Sequence, residues 1–267
     1  MTKRERVIEA INHRETDIIP YSVGFTKQEY EKVAEYLGDP DFGKKIANHI
    51  EGVYYDGWPR EVEGKPGYFK DDFGVLWNRN GVDKDIGVID GLVMPEPDMK
   101  YFKLPELDRD ALRSKFENMI NNGNDTFKMG NLGFSMFERA WTLRGMENLL
   151  ADMILEPSFV EELLDAICDY NIQIIDLGLE YDIDGFEFGD DWGQQSGLIM
   201  GPKLWRKFIK PRVARMYERV KSKGKFVAQH SCGDIHEIFP DLIDIGLDVY
   251  QTFQPEIYDI RKIKQEY

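Results

Sequence analysis

Residues 225–234 read KFVAQHSCGD. Phe226-Val227-Ala228 is a short apolar run with the composition of a buried strand, and Gly233-Asp234 supplies its stop. On an extended backbone, side chains two apart share a side, so the imidazole of His230 and the sulfur of Cys232 converge at the strand's end. A neutral imidazole and a thiolate are ligands that suit Zn²⁺. The pair also has a plainer reading, in which the cysteine packs as a small hydrophobe and the histidine is simply hydrogen-bonded.

Outward from this stretch, strands and helices alternate. Strands are expected at 18–24, 52–56, 127–131, 185–188, 225–230 and 249–252, with helices at 3–12, 26–37, 42–49, 110–121, 141–153, 157–181, 202–225 and 235–246, and a last helix from about 257. Thr26 is the expected N-cap of its helix, and Gly38 stands just past the end. Short β-like runs at 68–70, 75–77 and 88–89 form a hairpin excursion over about 58–107, and Pro95, Pro97 and Pro105 mark the return. Such alternation implies a parallel sheet within one domain, 1–267, of the (β/α)8 TIM-barrel type. Six repeated strands fall short of eight, so the last two βα units are expected to be missing from this chain.

The 267 residues, 42% of them hydrophobic, can supply a sizeable core. A net charge of −15 argues against non-specific binding to nucleic acid or to an anionic membrane. The Lys/Arg-rich helix around 204–225 keeps its apolar residues at helical spacing, so its charges form a solvated outer face. No apolar run is long enough to span a bilayer, and Met1-Thr2-Lys3-Arg4 leads into a charged amphipathic segment, not a signal sequence. Two cysteines, Cys168 and Cys232, suggest no disulfide framework and fit a reducing cytoplasm. The phosphate-binding patterns GxGxxG and GxxxxGK[ST] and the nucleophile elbow GxSxG are absent.

In a barrel, function gathers at the C-terminal ends of the strands. Those ends carry Ser22 to Phe25, then Asp56-Gly57-Trp58, then 133–139 (GFSMFER), then 187–193 (EFGDDWG), then His230 and Cys232, and finally Gln251 and Gln254. Glu187 and Asp190 or Asp191 would complete a metal shell or act as acid and base; the Asp-Asp pair would equally cap the following turn. Cys168, on the apolar side of its helix with Leu164 and Ile175, reads as core. His13 and His49 read as structural or exposed on early helices. His236 is a weaker ligand, because a helical turn would carry it away.

RERVIEAINHRETDIIP, DDFGVLW, FERAWTLRGMENLL, GDDWGQQSGLIMGP and HSCGDIHEIFPDLIDIGLDVYQTFQPE resemble the uroporphyrinogen decarboxylase superfamily, more narrowly its branch of corrinoid-linked methyltransferases and O-demethylase-like proteins. The resemblance implies a TIM barrel. It also implies zinc on the His-x-Cys pair, His230 and Cys232, with a third cysteine ligand near the C-terminus that has no counterpart here. The expected activity moves a methyl group between a small methyl donor or thiol acceptor and a corrinoid carried by a partner protein, in a chain that would also form homo-oligomers. Glu187, Asp190 and Gln251 would then be catalytic, and Tyr21, Phe134, Trp192 and Gln254 would touch substrate. A uroporphyrinogen decarboxylase grips tetrapyrrole carboxylates with an arginine-rich N-terminal segment; the corresponding IIPYSVGFTKQ has no arginine. Porphyrin-type decarboxylation and a non-catalytic, incomplete barrel stand as alternatives.

Overall fold

Five strands pair in parallel in their order along the chain: β1 (Ile50–Tyr55), β6 (Phe127–Leu132), β7 (Gly185–Gly189), β10 (Phe226–His230) and β11 (Val249–Gln251). The structure is a computed structural model that describes residues 1–81 and 85–267. The intervening numbers belong to a four-stranded antiparallel sheet, β2 (Arg60–Glu61), β3 (Tyr68–Lys70), β4 (Leu76–Asn78) and β5 (Val88–Ile89), and to a hairpin of β8 (Gly193–Gln194) with β9 (Gly197–Leu198). Strand order that never reverses distinguishes this sheet from a doubly wound one. Each crossover steps the same way along the sheet, so crossovers of the usual right hand gather their helices on one face, as in the wall of a barrel. β1 and β11 are the two ends of this sheet.

Alternation gives the sheet two different faces. Val53, Tyr55, Leu132, Phe186, Phe188 and Val227 point outward into the main core, against α4 (Arg109–Asn121), α7 (Pro157–Gly178) and α9 (Lys210–Lys221). Phe186 is wholly buried, and a Cβ on Gly130 would stand 2.3 Å from its ring. Only a glycine leaves room there. On the inner face, Phe127, Met129 and Ala228 pack with Val7 of α1 (Lys3–Ile11). α1 is held by the Arg4 amide on the Asp125 carbonyl (2.8 Å) and the Arg4 guanidinium on Asp184 (2.7 Å). The inner face is thus apolar where the strands begin and polar where they end, with Asn131, Glu187, His230 and Gln251 in the last positions.

The expected strands at 52–56, 127–131, 185–188, 225–230 and 249–252 are present. That at 18–24 is extended but pairs in no ladder, because its polar groups are taken by the turn before β1. The Tyr21 amide donates to His49 Nδ1 (2.9 Å), the His49 amide returns to the Tyr21 carbonyl (2.9 Å), and Asn48 brackets Val23. His49 accordingly lies before β1 and is buried, not on a helix, and His13 follows the end of α1. The helix expected at 141–153 is two, α5 (Phe137–Arg144) and α6 (Met146–Leu155), broken where Gly145 takes φ +85°. The basic helix contains a π segment, Trp205–Ile209, ahead of α9. Thr26 and Gly38 cap α2 (Lys27–Leu37) as the sequence predicts. Among the described residues, no helix is long and apolar enough to cross a membrane.

Phe186→Ala is expected to cost about 3–5 kcal/mol in urea denaturation. Gly130→Ala, which forces the same ring aside, should cost about 1–3 kcal/mol.

Candidate functional site

Two loops cross at the C-terminal end of the sheet, 189–193 after β7 and 230–233 after β10. They are tied by the Asp190 amide on the His230 carbonyl (3.1 Å), the Trp192 amide on Ser231 Oγ (3.0 Å) and the Cys232 amide on Asp191 Oδ1 (2.8 Å). The approach is too close for side chains: a Cβ on Gly193 would lie 2.6 Å from the Cys232 carbonyl oxygen, and one on Gly233 would lie 2.3 Å from Gly193. Gly233 also takes φ +77°, so glycine is required there twice over.

This crossing brings Asp191, His230 and Cys232 together, with one ligand atom from each all within 4.8 Å of one another. His230 Nε2 is 3.7 Å from Cys232 Sγ and 3.5 Å from Asp191 Oδ1. Donors held about 2.0–2.3 Å from a tetrahedral Zn²⁺ stand about 3.4–3.6 Å apart. The two spacings from His230 Nε2 are close to that, and carboxylate, imidazole and sulfur are the donor types zinc accepts. The residues present therefore fit a zinc ion, with the Asp191 carboxylate in the third position. Burial and the neighbouring Asp191 push the Cys232 thiol up to about 11. Thiolate formation there calls for a cation, and metal uptake would release a proton. His236 points elsewhere, its Nε2 3.5 Å from Glu266.

The remaining expected site residues divide. Glu187 and Gln251 lie on the inner face beside His230: Gln251 Nε2 donates to Glu187 Oε1 (3.0 Å), and Asn131 Nδ2 donates to Glu187 Oε2 (2.6 Å). Burial raises the Glu187 carboxyl above its ordinary value, against the pull of His230 and Asn131. Tyr21, Glu187 and Gln251 line a cavity of about 420 Å³ that reaches down the inner face to α1. Gln254 is spent on the Gly233 amide (2.7 Å). Phe134 lies apart, against Trp77 and beneath Arg139. Trp192 is wholly buried against Trp205, and Asp190 is wholly buried beneath it. The Asp190 carboxylate accepts the amides of Met136 (3.3 Å), Phe137 (2.9 Å) and Glu138 (2.7 Å) and the Trp192 indole N–H. The expected cap on the following turn is not what Asp190 makes: it caps the start of α5, far earlier in the chain, and the ligand geometry falls to Asp191.

Glu138, at the start of α5, carries a larger perturbation than the residues singled out from the sequence. Burial, then the charges of Asp190 and Asp191, push its carboxyl up to about 8. Burial raises Asp190 as well, but its four hydrogen-bond donors favour the anion. Asp190 therefore ionises first and Glu138 keeps the proton. The sequence signal was its place two residues past Met136 at a strand-to-helix junction, but nothing in a single chain showed that Asp190 and Asp191 would close over it.

These features define a class: a parallel α/β chain of barrel type with a carboxylate–imidazole–thiol donor set at the C-terminal rim. Residues 134–262, a little under half of the chain, match the family model for uroporphyrinogen decarboxylase (URO-D), the family to which the sequence resemblance points. A methyltransferase from Methanosarcina mazei has a similar structure, with TM-score 0.68 and 16% sequence identity, over 99% of this chain and 80% of that one. At that identity the likeness establishes the fold, a TIM-barrel-like arrangement around the five-stranded sheet. No curated protein matches the chain.

Glu138 binds its proton more tightly folded than unfolded, so its contribution to stability is present below about pH 4.5 and is lost as pH rises through about 8. Glu138→Gln should remove that slope and leave the variant the more stable of the two above pH 8, read from urea denaturation midpoints across that range.

Proposed function

We propose that this chain is a zinc-dependent methyltransferase of the uroporphyrinogen decarboxylase superfamily, exchanging a methyl group between a small donor or thiol acceptor and a corrinoid carried by a partner protein. The observation that carries this reading is the convergence of Asp191, His230 and Cys232, with ligand atoms all within 4.8 Å of one another, at the rim of a parallel sheet. Asp191 Oδ1, His230 Nε2 and Cys232 Sγ would hold the metal, leaving a fourth position toward open space. A bound zinc ion supplies Lewis acidity, lowering the pKa of a thiol or polarising a methyl donor's oxygen.

The chain's own residues shape what reaches that position. Glu187, raised by burial and reached from the cavity, accepts or returns a proton at its carboxyl oxygens. Val7, Ile11, Phe127, Met129 and Phe226 give the inner end of the cavity apolar walls. Among the described residues, that lining includes no Lys or Arg of the kind that would grip the carboxylates of a tetrapyrrole, and this favours methyl transfer over decarboxylation.

The purified protein is expected to hold about one zinc per chain by elemental analysis, and His230→Ala, Cys232→Ser and Asp191→Asn each to hold far less. Equal zinc in all four would remove the metal from the reading. Loss of the methyl–cobalt absorbance of methylcobalamin, dependent on zinc and an added thiol, would test the transfer itself. Conversion of uroporphyrinogen to coproporphyrinogen would favour the decarboxylase instead.

A further inference from the structure

We propose that Gln251, anchored through Glu187 to Asn131, is a positioning residue that fixes the tautomer of His230 so that its Nε2 lone pair faces Asp191 and Cys232. Four strands each give one residue to this relay: Asn131 from β6, Glu187 from β7, Gln251 from β11 and His230 from β10. The ladder register sets Asn131 opposite Glu187 and His230 opposite Gln251.

The direction of every bond follows from the one member that only accepts. An ionised carboxylate has no hydrogen to give, so Asn131 Nδ2 (2.6 Å) and Gln251 Nε2 (3.0 Å) must both donate to Glu187. With its NH₂ committed, Gln251 presents Oε1 to His230 Nδ1, and the two are in contact. The Thr252 hydroxyl donates to the same Oε1 (2.8 Å) and leaves its own oxygen 3.2 Å from Nδ1. Two acceptors face Nδ1 at closer range than the Asp191 oxygen 3.5 Å from Nε2, so Nδ1 carries the hydrogen and Nε2 is left with the lone pair. Turning the Gln251 amide over would set Oε1 against a carboxylate oxygen and lose a bond. Asn131 keeps the matching orientation although its own Oδ1, buried beside Gly52, is left without a partner. The carboxylate's demand decides both amides.

A metal-binding histidine whose other nitrogen is held in this way is oriented before the ion arrives, and removing such an outer partner weakens metal binding about 10–100-fold. That consequence rests on the zinc reading above; the tautomer does not. The two are separated by ¹⁵N-histidine spectra of the metal-free protein at about pH 9, where an ordinary imidazole is neutral, with the His230 signals identified by their loss in His230→Ala. The expected result is a pure Nδ1–H tautomer in the wild type that becomes mixed in Gln251→Leu, an exposed position that does not threaten folding. Glu187→Gln should also give a mixture, because its NH₂ obliges either the Asn131 or the Gln251 amide to turn over, and a reversed Gln251 offers its own NH₂ to His230 Nδ1. Zinc affinity, measured by competition with a chromophoric chelator, should fall about 10–100-fold in Gln251→Leu with all three ligands intact. An Nε2–H tautomer in the wild type, or a tautomer unchanged in both variants, overturns the relay. Tautomer control in a protein that never takes up zinc upholds the relay and removes the metal.

Discussion

The pairing of β7 with β10 is the constraint from which the site follows. Its register sets Glu187 opposite Ala228 and His230 opposite Gly189, and thereby decides which side chains face the inner cavity and which face the helices. A slip of one residue would carry Glu187 and His230 into the main core and bring Phe186, Phe188 and Val227 out of it. Burying a carboxylate and an imidazole among those rings would be costly, as would exposing three large apolar groups. The hydrophobic pattern of two short strands therefore holds the polar pattern in place.

Much of this was legible in the sequence, and what was legible has a common cause. Short apolar runs bounded by turn residues located all five parallel strands, and the hairpin runs at Tyr68, Leu76 and Val88 were visible because turns punctuate them. Thr26 and Gly38 announced a helix by local capping chemistry alone. His230 and Cys232 were found because spacing on an extended chain is itself geometry. All of these are readings over fewer than a dozen residues.

What escaped depends on partners distant in sequence. The segment 18–24 has strand composition, but its amides and carbonyls go to Asn48 and His49, so it joins no ladder. Trp192 follows a strand end, where an aromatic ring would serve a substrate, yet Trp205 from a helix thirteen positions on covers it completely. Glu138 was one acidic residue among 49 Asp and Glu until folding set Asp190 and Asp191 against it. Gln251, expected to be catalytic, is bonded to Glu187 and His230, which only the register of β11 against β10 determines.

The crossing of the two loops also sorts three neighbouring carboxylates into three states, and their hydrogen bonds explain how. Asp190 is surrounded by three backbone amides and an indole, so it is ionised but saturated, and it holds the start of α5. Glu138 accepts the Asp191 amide and sits in the field of both aspartates, so it keeps its proton and adds no charge. Asp191 gives one oxygen to the Cys232 amide and has its side chain 37% exposed, beside a His230 side chain exposed 32%. Of the three, only Asp191 combines access with proximity to a nitrogen and a sulfur donor. Three anions packed together would repel one another strongly; one buried as a cap, one neutralised and one open to a cation is the arrangement that the backbone donors on this crossing make tolerable. The same donors that stabilise the fold thus leave a single carboxylate available for a metal.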